Sequence, residues 1–383
     1  MRPFLHSGFI LLMNLFCFFA TAQGVWNQKP DLPGAARGFG AGFSIGSKGY
    51  IATGYSGSYY NDMWCYDTLT NMWTAKASFP GAARGYAVGF TIGSKGYVGT
   101  GSGSTTYNDF WAYNPASNSW TQKANFGGAA RGFATGFSVG GKGYIGTKGP
   151  TQNDFWEYDT LANSWTQIAA LGTGIRSAAV GFSVGGKGYV GTGSSNPTYY
   201  QDLWQYDPGT GAWTQMANIP GTPSQAARWG ATAFSIGGKG YIAAGNYGSS
   251  QYKRDLWEYD PATNSWLQKA DIPDLARYGS VGFSIGNKGY LVAGSNSAGN
   301  LQTFWEYSTF APLTLFLSRV NSSCANPCNG KVTANAAGGT TPYTYQWNGG
   351  QSTQTITGLC AGTYSVIVTD GVGSTISANI LVQ

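Results

Sequence analysis

The sequence predicts an all-β chain in which six copies of a four-stranded unit close into a β-propeller, followed by a small β-sandwich. Three observations carry this reading. The segment Arg-x5-Phe-[Ser/Thr]-[Ile/Val]-Gly-x-Lys-Gly-Tyr occurs six times in 383 residues, with its lysines (Lys48, Lys95, Lys142, Lys187, Lys239, Lys288) 45 to 52 apart. The sixth copy lacks an element that the other five carry, and a matching element stands ahead of the first copy. Glycine is conspicuous at 59 residues, aromatics reach 15% and charged residues only 10%, as suits short strands, tight turns and rings packed between sheets.

Residues 1–22 read as a secretory leader: Arg2, an apolar run from Phe9 to Ala20, and the small-x-small pattern Ala20-Thr21-Ala22. The mature chain then begins near Gln23 with 21 Lys and Arg against 16 Asp and Glu. The apolar run is short for a membrane span, and no other segment approaches one. No basic run exists and the lysines are spread one per repeat, which argues against nucleic acid as a partner. A monomer is expected.

Each repeat divides into four strands. In the first, Gly38 to Ile45 alternates small and large residues, and Gly46-Ser47-Lys48-Gly49 supplies a hairpin turn. Tyr50 to Thr53 forms the second strand, Met63 to Asp67 the third and Met72 to Lys76 the fourth. A four-stranded unit of this length, repeated, matches a propeller blade. The sixth repeat has Trp305 but no partner for the trailing tryptophans Trp73, Trp120, Trp165, Trp213 and Trp266. Val25-Trp26-Asn27-Gln28-Lys29, similar to Ser119-Trp120-Thr121-Gln122-Lys123, supplies that strand and locks the ring, leaving no exposed sheet edge.

The glycines ending the second strand, the Trp-x-Tyr-Asp of the third and the trailing Trp resemble the kelch repeat, over about residues 24 to 307. This chain has Thr53-Gly54, Thr100-Gly101 or Ala244-Gly245 where kelch repeats carry a double glycine, and the third repeat has Thr147-Lys148. The propeller is expected over residues 23–310.

A small Ig-like β-domain is expected over 311–383, with strands at Leu313 to Val320, Val332-Thr333-Ala334, Tyr343 to Trp347, Thr355-Ile356 and Thr363 to Thr369. Gly338 to Trp347 and Gly358 to Tyr364 resemble the SprB-type repeat of gliding-bacterium surface adhesins. That resemblance implies a secreted or cell-surface protein of a gliding-type bacterium. Export permits disulfides, and Cys328 with Cys360 is the favoured pair, stapling a domain too small for a large core. Related repeats often carry a further Cys after the final strand, where this chain has Ser374, which leaves Cys324 without an obvious partner. Cys65 takes the place of Ala112, Glu157, Gln205, Glu258 and Glu306 in other repeats, so it belongs to no shared site. A zinc site on Cys324, Cys328 and Cys360 lacks a fourth ligand.

The only histidine, His6, lies in the leader. Histidine-based triads and imidazole-ligated metals are thereby excluded, including the copper site of galactose-oxidase-type kelch propellers. Most acids recur with the repeat: Asp62, Asp109, Asp154, Asp202 and Asp255 in Asp-x-Trp, and Asp67, Asp159, Asp207 and Asp260 after the Tyr. Recurring acids of this kind more often serve the scaffold than act as bases. No cofactor, metal or catalytic residue is expected.

Two groups remain as ligand-binding candidates. Arg37, Arg84, Arg131, Arg176, Arg228 and Arg277 each enter a first strand and either converge on the channel mouth to bind an anion or pair internally with an Asp of Asp-x-Trp on the neighbouring blade or with loop carbonyls. Kelch propellers use arginines at this location for acidic peptides, and a sialic-acid-processing subset uses the same mouth. Thr303 replaces the sixth Asp, which leaves Arg277 the freest. The second group lies in the loops between strands two and three, where Tyr55, Tyr59, Tyr60, Tyr107, Tyr199, Tyr200, Tyr247 and Tyr252 stand among Ser, Gly and Asn. That is either an adaptable recognition surface or the abundance of Tyr (25 residues) in this chain. The function expected is binding or adhesion, to protein or glycan. The competing expectation is a sugar-acid-processing enzyme resembling the kelch-type sialic-acid mutarotases.

Overall fold

The computed structural model describes residues 24–148, 153–172, 174–310, 313–322, 328–371 and 373–383. The leader and Cys324 lie outside the described residues. Residues 25 to 308 form six four-stranded antiparallel sheets in a β-propeller-like arrangement. Their first strands are Ala41–Ile45, Val88–Ile92, Thr135–Val139, Val180–Val184, Thr232–Ile236 and Val281–Ile285, here taken to define sheets 1 to 6. In sheet 1 the others are Lys48–Ala52, Met63–Asp67 and Met72–Lys76. The first strand thus begins at Ala41 instead of Gly38, because Phe39 has φ 58° and breaks the extended chain. The fourth strand of sheet 6 is Val25–Lys29, antiparallel to Phe304–Ser308 with Trp26 opposite Tyr307.

Every relation between neighbouring sheets recurs around the array and returns from sheet 6 to sheet 1. At the rim, each fourth-strand tryptophan donates its indole N–H to a carbonyl of the preceding sheet, as Trp120 does to Ala77 and Trp73 to Pro30. Trp26 does the same to Ala270 of sheet 5 at 2.8 Å. Between the sheets, the glycine of each Lys-Gly-Tyr lies flat against a phenylalanine from the preceding first strand. A Cβ on Gly96 would stand 2.1 Å from Phe43, and one on Gly49 2.2 Å from Phe283 of sheet 6. Glycine is required there because the phenylalanine occupies the volume of a side chain. Phe43, Phe90, Phe137, Phe182, Phe234 and Phe283 are accordingly buried, each contributing on the order of 1.5–3 kcal/mol by transfer from water.

Residues 314 to 382 form two three-stranded sheets. One contains Thr314–Val320, Gly330–Ala337 and Thr355–Leu359; the other contains Thr344–Trp347, Gly362–Thr369 and Thr375–Val382. Val332, Ala334, Trp347, Ile356, Val366, Val368 and Val382 fill the space between them. The last strand is the one the sequence reading leaves unassigned, although Ile376, Ala378, Ile380 and Val382 alternate through it. Cys328 and Cys360 form the expected disulfide. No helix among the described residues is long and apolar enough to cross a membrane.

Trp26 joins the two ends of the repeat array, so Trp26→Ala should cost about 3–5 kcal/mol, as for a buried tryptophan in a core. Equilibrium urea unfolding checks this. A loss below about 1 kcal/mol, the level of a surface substitution, would show that the N-terminal strand is not needed to hold the sheets together.

Candidate ligand-binding mouth

The six arginines are buried, at 0 to 2% exposure. Arg37 donates through both terminal nitrogens to Asp62 (2.5 and 2.8 Å), to the Thr53 carbonyl (3.0 Å) and, from Nε, to the Ala35 carbonyl (2.9 Å). Asp62 also accepts the Trp64 indole N–H at 2.8 Å. The same Arg–Asp–Trp cluster recurs as Arg84–Asp109–Trp111, Arg131–Asp154–Trp156, Arg176–Asp202–Trp204 and Arg228–Asp255–Trp257. Each pair lies within one repeat, so the expected reach to a neighbouring blade is corrected. A buried guanidinium requires partners that satisfy its fork of donors, and the nearest Asp with two loop carbonyls does so.

Arg277 is not the free one. It donates to Thr303 Oγ1 at 2.8 Å and also to Asp274, a carboxylate three residues earlier that stands in for the missing Asp. Burial alone would raise the Asp274 carboxyl, but hydrogen bonds from Thr303, the Leu275 N–H and Arg277 outweigh it and hold it at about 2. Asp62 and Asp154 are likewise lowered: burial opposes ionisation there, and Arg37 and Arg131 overcome it.

Three of the candidate tyrosines cover these arginines. The Tyr60, Tyr107 and Tyr200 rings lie 4.3, 4.0 and 4.3 Å from the guanidinium carbons of Arg37, Arg84 and Arg176. Their backbone carbonyls accept the N–H of the next repeat's arginine, as Tyr60 does from Arg84 at 3.1 Å. Tyr55 and Tyr59 pack together at 4.8 Å, and Tyr199 packs on Tyr247 at 4.9 Å.

The residues that shape the mouth of the axis are ones the sequence reading assigns to strands or passes over. Phe39, Tyr86, Phe133, Ala178, Gly230 and Gly279 stand two places after the six arginines. Each donates its N–H to the carbonyl of the one before, from Tyr86 to Phe39 (2.8 Å) around to Gly279 on Gly230 (2.7 Å) and Phe39 on Gly279 (2.6 Å). All six have φ between 51 and 65°. Glycine enters that region freely, whereas a bulky side chain there is a conformational outlier costing about 1–3 kcal/mol. The cost is accepted at three positions, where Phe39, Tyr86 and Phe133 form a half-buried group with Tyr86 and Phe133 stacked at 3.8 Å. Phe39 leans over the glycines of repeats 5 and 6, where a Cβ on the adjoining Gly279 would meet its ring at 2.8 Å.

Repeats 5 and 6 reverse the order. Trp229 and Tyr278 come one place after their arginines and add their rings to the group, at 6.2 and 5.4 Å from Phe39. Tyr252 stacks on Tyr278, and Tyr55 packs on Tyr86. Repeat 4 has Ser177-Ala178 and carries no ring. The signal in the sequence is the exchange of Arg-Gly-aromatic for Arg-aromatic-Gly. Burial, with Tyr59, Tyr55 and Tyr278 nearby, pushes the Tyr86 hydroxyl up to about 12, so it is neutral at any ordinary pH. Beneath the rings the channel narrows to spaces of about 110 and 140 Å³ walled by small residues such as Ala87, Ala134, Thr135 and Gly181. These fall well short of the roughly 300 Å³ and upward that enclose drug-sized ligands, so the channel has no room to enclose one.

Residues 318–352 match the SprB repeat family. No curated protein matches the chain. Among solved structures, one titled "Structure of YjhT" is similar with a TM-score of 0.61 and 17% identity, over 73% of this chain and 96% of that one. At that identity the similarity shows the fold alone.

The arginine clusters set two expectations. Asp109→Ala should cost about 3–5 kcal/mol, because it strands Arg84 in the interior; thermal or urea unfolding measures it, and a neutral result would remove the cluster from the scaffold. The lowered carboxyls of Asp62, Asp154 and Asp274 add stability above their unfolded value of about 3.9. That stability is lost as pH falls through the folded values, so urea midpoints should drop steeply between about pH 4 and pH 2. A midpoint flat across that window would contradict the assignment.

Proposed function

We propose that this chain is an exported, non-enzymatic binding protein: a closed six-bladed kelch-type propeller that recognises a saccharide on the aromatic mouth of its axis. The observation that carries the reading is the left-handed backbone at Phe39, Tyr86 and Phe133, where the equivalent positions of the other repeats hold Ala178, Gly230 and Gly279. Bulky rings held in a costly conformation, half exposed and converging on one concave spot, are better explained by binding than by packing. Flat aromatic faces beside hydroxyl groups complement a sugar ring, which offers C–H faces and hydroxyl edges.

The closed ring is supported by the hydrogen bonds that return from sheet 6 to sheet 1, and by Val25–Lys29 completing the last sheet. Surface display is supported by the SprB repeat match and by the disulfide between Cys328 and Cys360, which suits an oxidising compartment. Binding is favoured over turnover of a sugar acid because Asp62, Asp109, Asp154, Asp202 and Asp255 are each held by an arginine and a tryptophan, leaving them poorly placed to move protons.

A glycan array with the purified mature chain tests the proposal, alongside Trp229→Ala and Tyr86→Gly. The expected result is saccharide binding that each variant weakens tenfold or more, with near-native melting. Binding unchanged in both variants would move the site away from the mouth. Conversion of a sialylated sugar by the pure protein would overturn the non-enzymatic reading.

A further inference from the structure

The mouth is not uniform, and its gap lies at repeat 4. Ser177 and Ala178 stand where every other repeat contributes a ring, and a recess of about 240 Å³ opens there. It is lined by the rings of Phe133, Tyr199 and Trp229 together with Ser177, Ser194, Gly248 and Lys148. Among the described residues, no carboxylate lines it.

Lys148 is itself an exception to the repeat. The residue closing the second strand is Gly54, Gly101, Gly193, Gly245 and Gly294 elsewhere, all with φ between 92 and 123°. Lys148 occupies the same place at φ 51°, and its N–H makes the same bond to the next arginine carbonyl, to Arg176 at 2.9 Å. A lysine has been set on a backbone built for glycine. Its side chain is exposed, and among the described residues it has no carboxylate partner. Five of the six lysines that begin second strands, Lys48, Lys142, Lys187, Lys239 and Lys288, pair with an acid, whereas Lys95, whose repeat has Asn114 in place of the Asp, does not among the described residues.

We propose that this recess is an anion-reading subsite of the mouth, in which Lys148 pairs with a negatively charged substituent of a sugar ring held against Trp229, Tyr199 and Phe133. This rests on the saccharide reading above and adds the charge of the ligand. An ammonium is a compact point charge with no planar fork, so it reads charge without selecting between a carboxylate and a sulfate ester. The arginines cannot do this work, since their donors are taken up inside the sheets.

The test is calorimetric titration of the mature chain with galactose, galacturonic acid and galactose 6-sulfate, repeated with Lys148→Gly and Lys148→Gln. Lys148→Gly restores the residue of the other repeats and is expected to melt no lower than the parent. The parent should prefer one or both anionic sugars over galactose by roughly tenfold, a preference that shrinks with added salt. Both variants should bind galactose as the parent does and lose the preference. The two anionic sugars separate carboxylate from sulfate recognition. Equal binding of neutral and anionic sugars by the parent, or a preference that survives Lys148→Gly, overturns the subsite and leaves the aromatic mouth standing. Binding of none of the three overturns both.

Discussion

A guanidinium buried in a protein must be given partners for its five donors, and this requirement organises the whole repeat. Five of the six arginines take two carboxylate oxygens from the Asp just ahead of the third strand, Arg277 takes Thr303 and Asp274 instead, and all six also donate to a loop carbonyl. Each arginine's own backbone is bonded to the preceding repeat at both N–H and carbonyl, as Arg84 is to Tyr60 and Gly54. One residue therefore ties strand one to strand three within a sheet and that sheet to its neighbour. The tyrosines over Arg37, Arg84 and Arg176 then close the cluster from above.

With the arginines so engaged, the residues two places further on have a defined position around the axis. Six left-handed residues joined by a closed circle of hydrogen bonds leave room for about half of them to carry large side chains. Phe39 fills the centre, and Gly279 and Gly230 of the two preceding repeats make way for it. The mouth is thus asymmetric although the scaffold is nearly six-fold. Asymmetry is what a site for a small ligand needs, since a six-fold ring offers every orientation equally.

The sequence made the architecture legible because six copies of one pattern average out local ambiguity. Trp26 could be assigned to the last sheet only because five tryptophans showed what was missing from it. The Arg–Asp pairing was visible as one of two alternatives, and what decided it was burial, which spacing does not reveal. Asp274 was out of reach for a different reason: it compensates for Thr303 from a loop position that no other repeat uses. Phe39, Tyr86 and Phe133 were hidden by the assumption that a strand runs unbroken from Gly38. A single left-handed residue turns a side chain from the core to the mouth, and periodicity carries no sign of it. Lys148 was noticed as a departure from the turn pattern, but its place beside Trp229 depends on two other repeats folding against it.

On the proposed reading, ligand contact belongs to the rings at the axis and not to the arginines beneath them. Hydroxyl-radical footprinting with and without a bound saccharide, read residue by residue by mass spectrometry, measures this directly. Phe39, Tyr86, Phe133, Trp229 and Tyr278 should react in the free protein and be protected by the ligand, while buried Tyr66 and Tyr113 stay unreactive throughout. Protection confined to other faces, with the mouth equally reactive in both states, would contradict it.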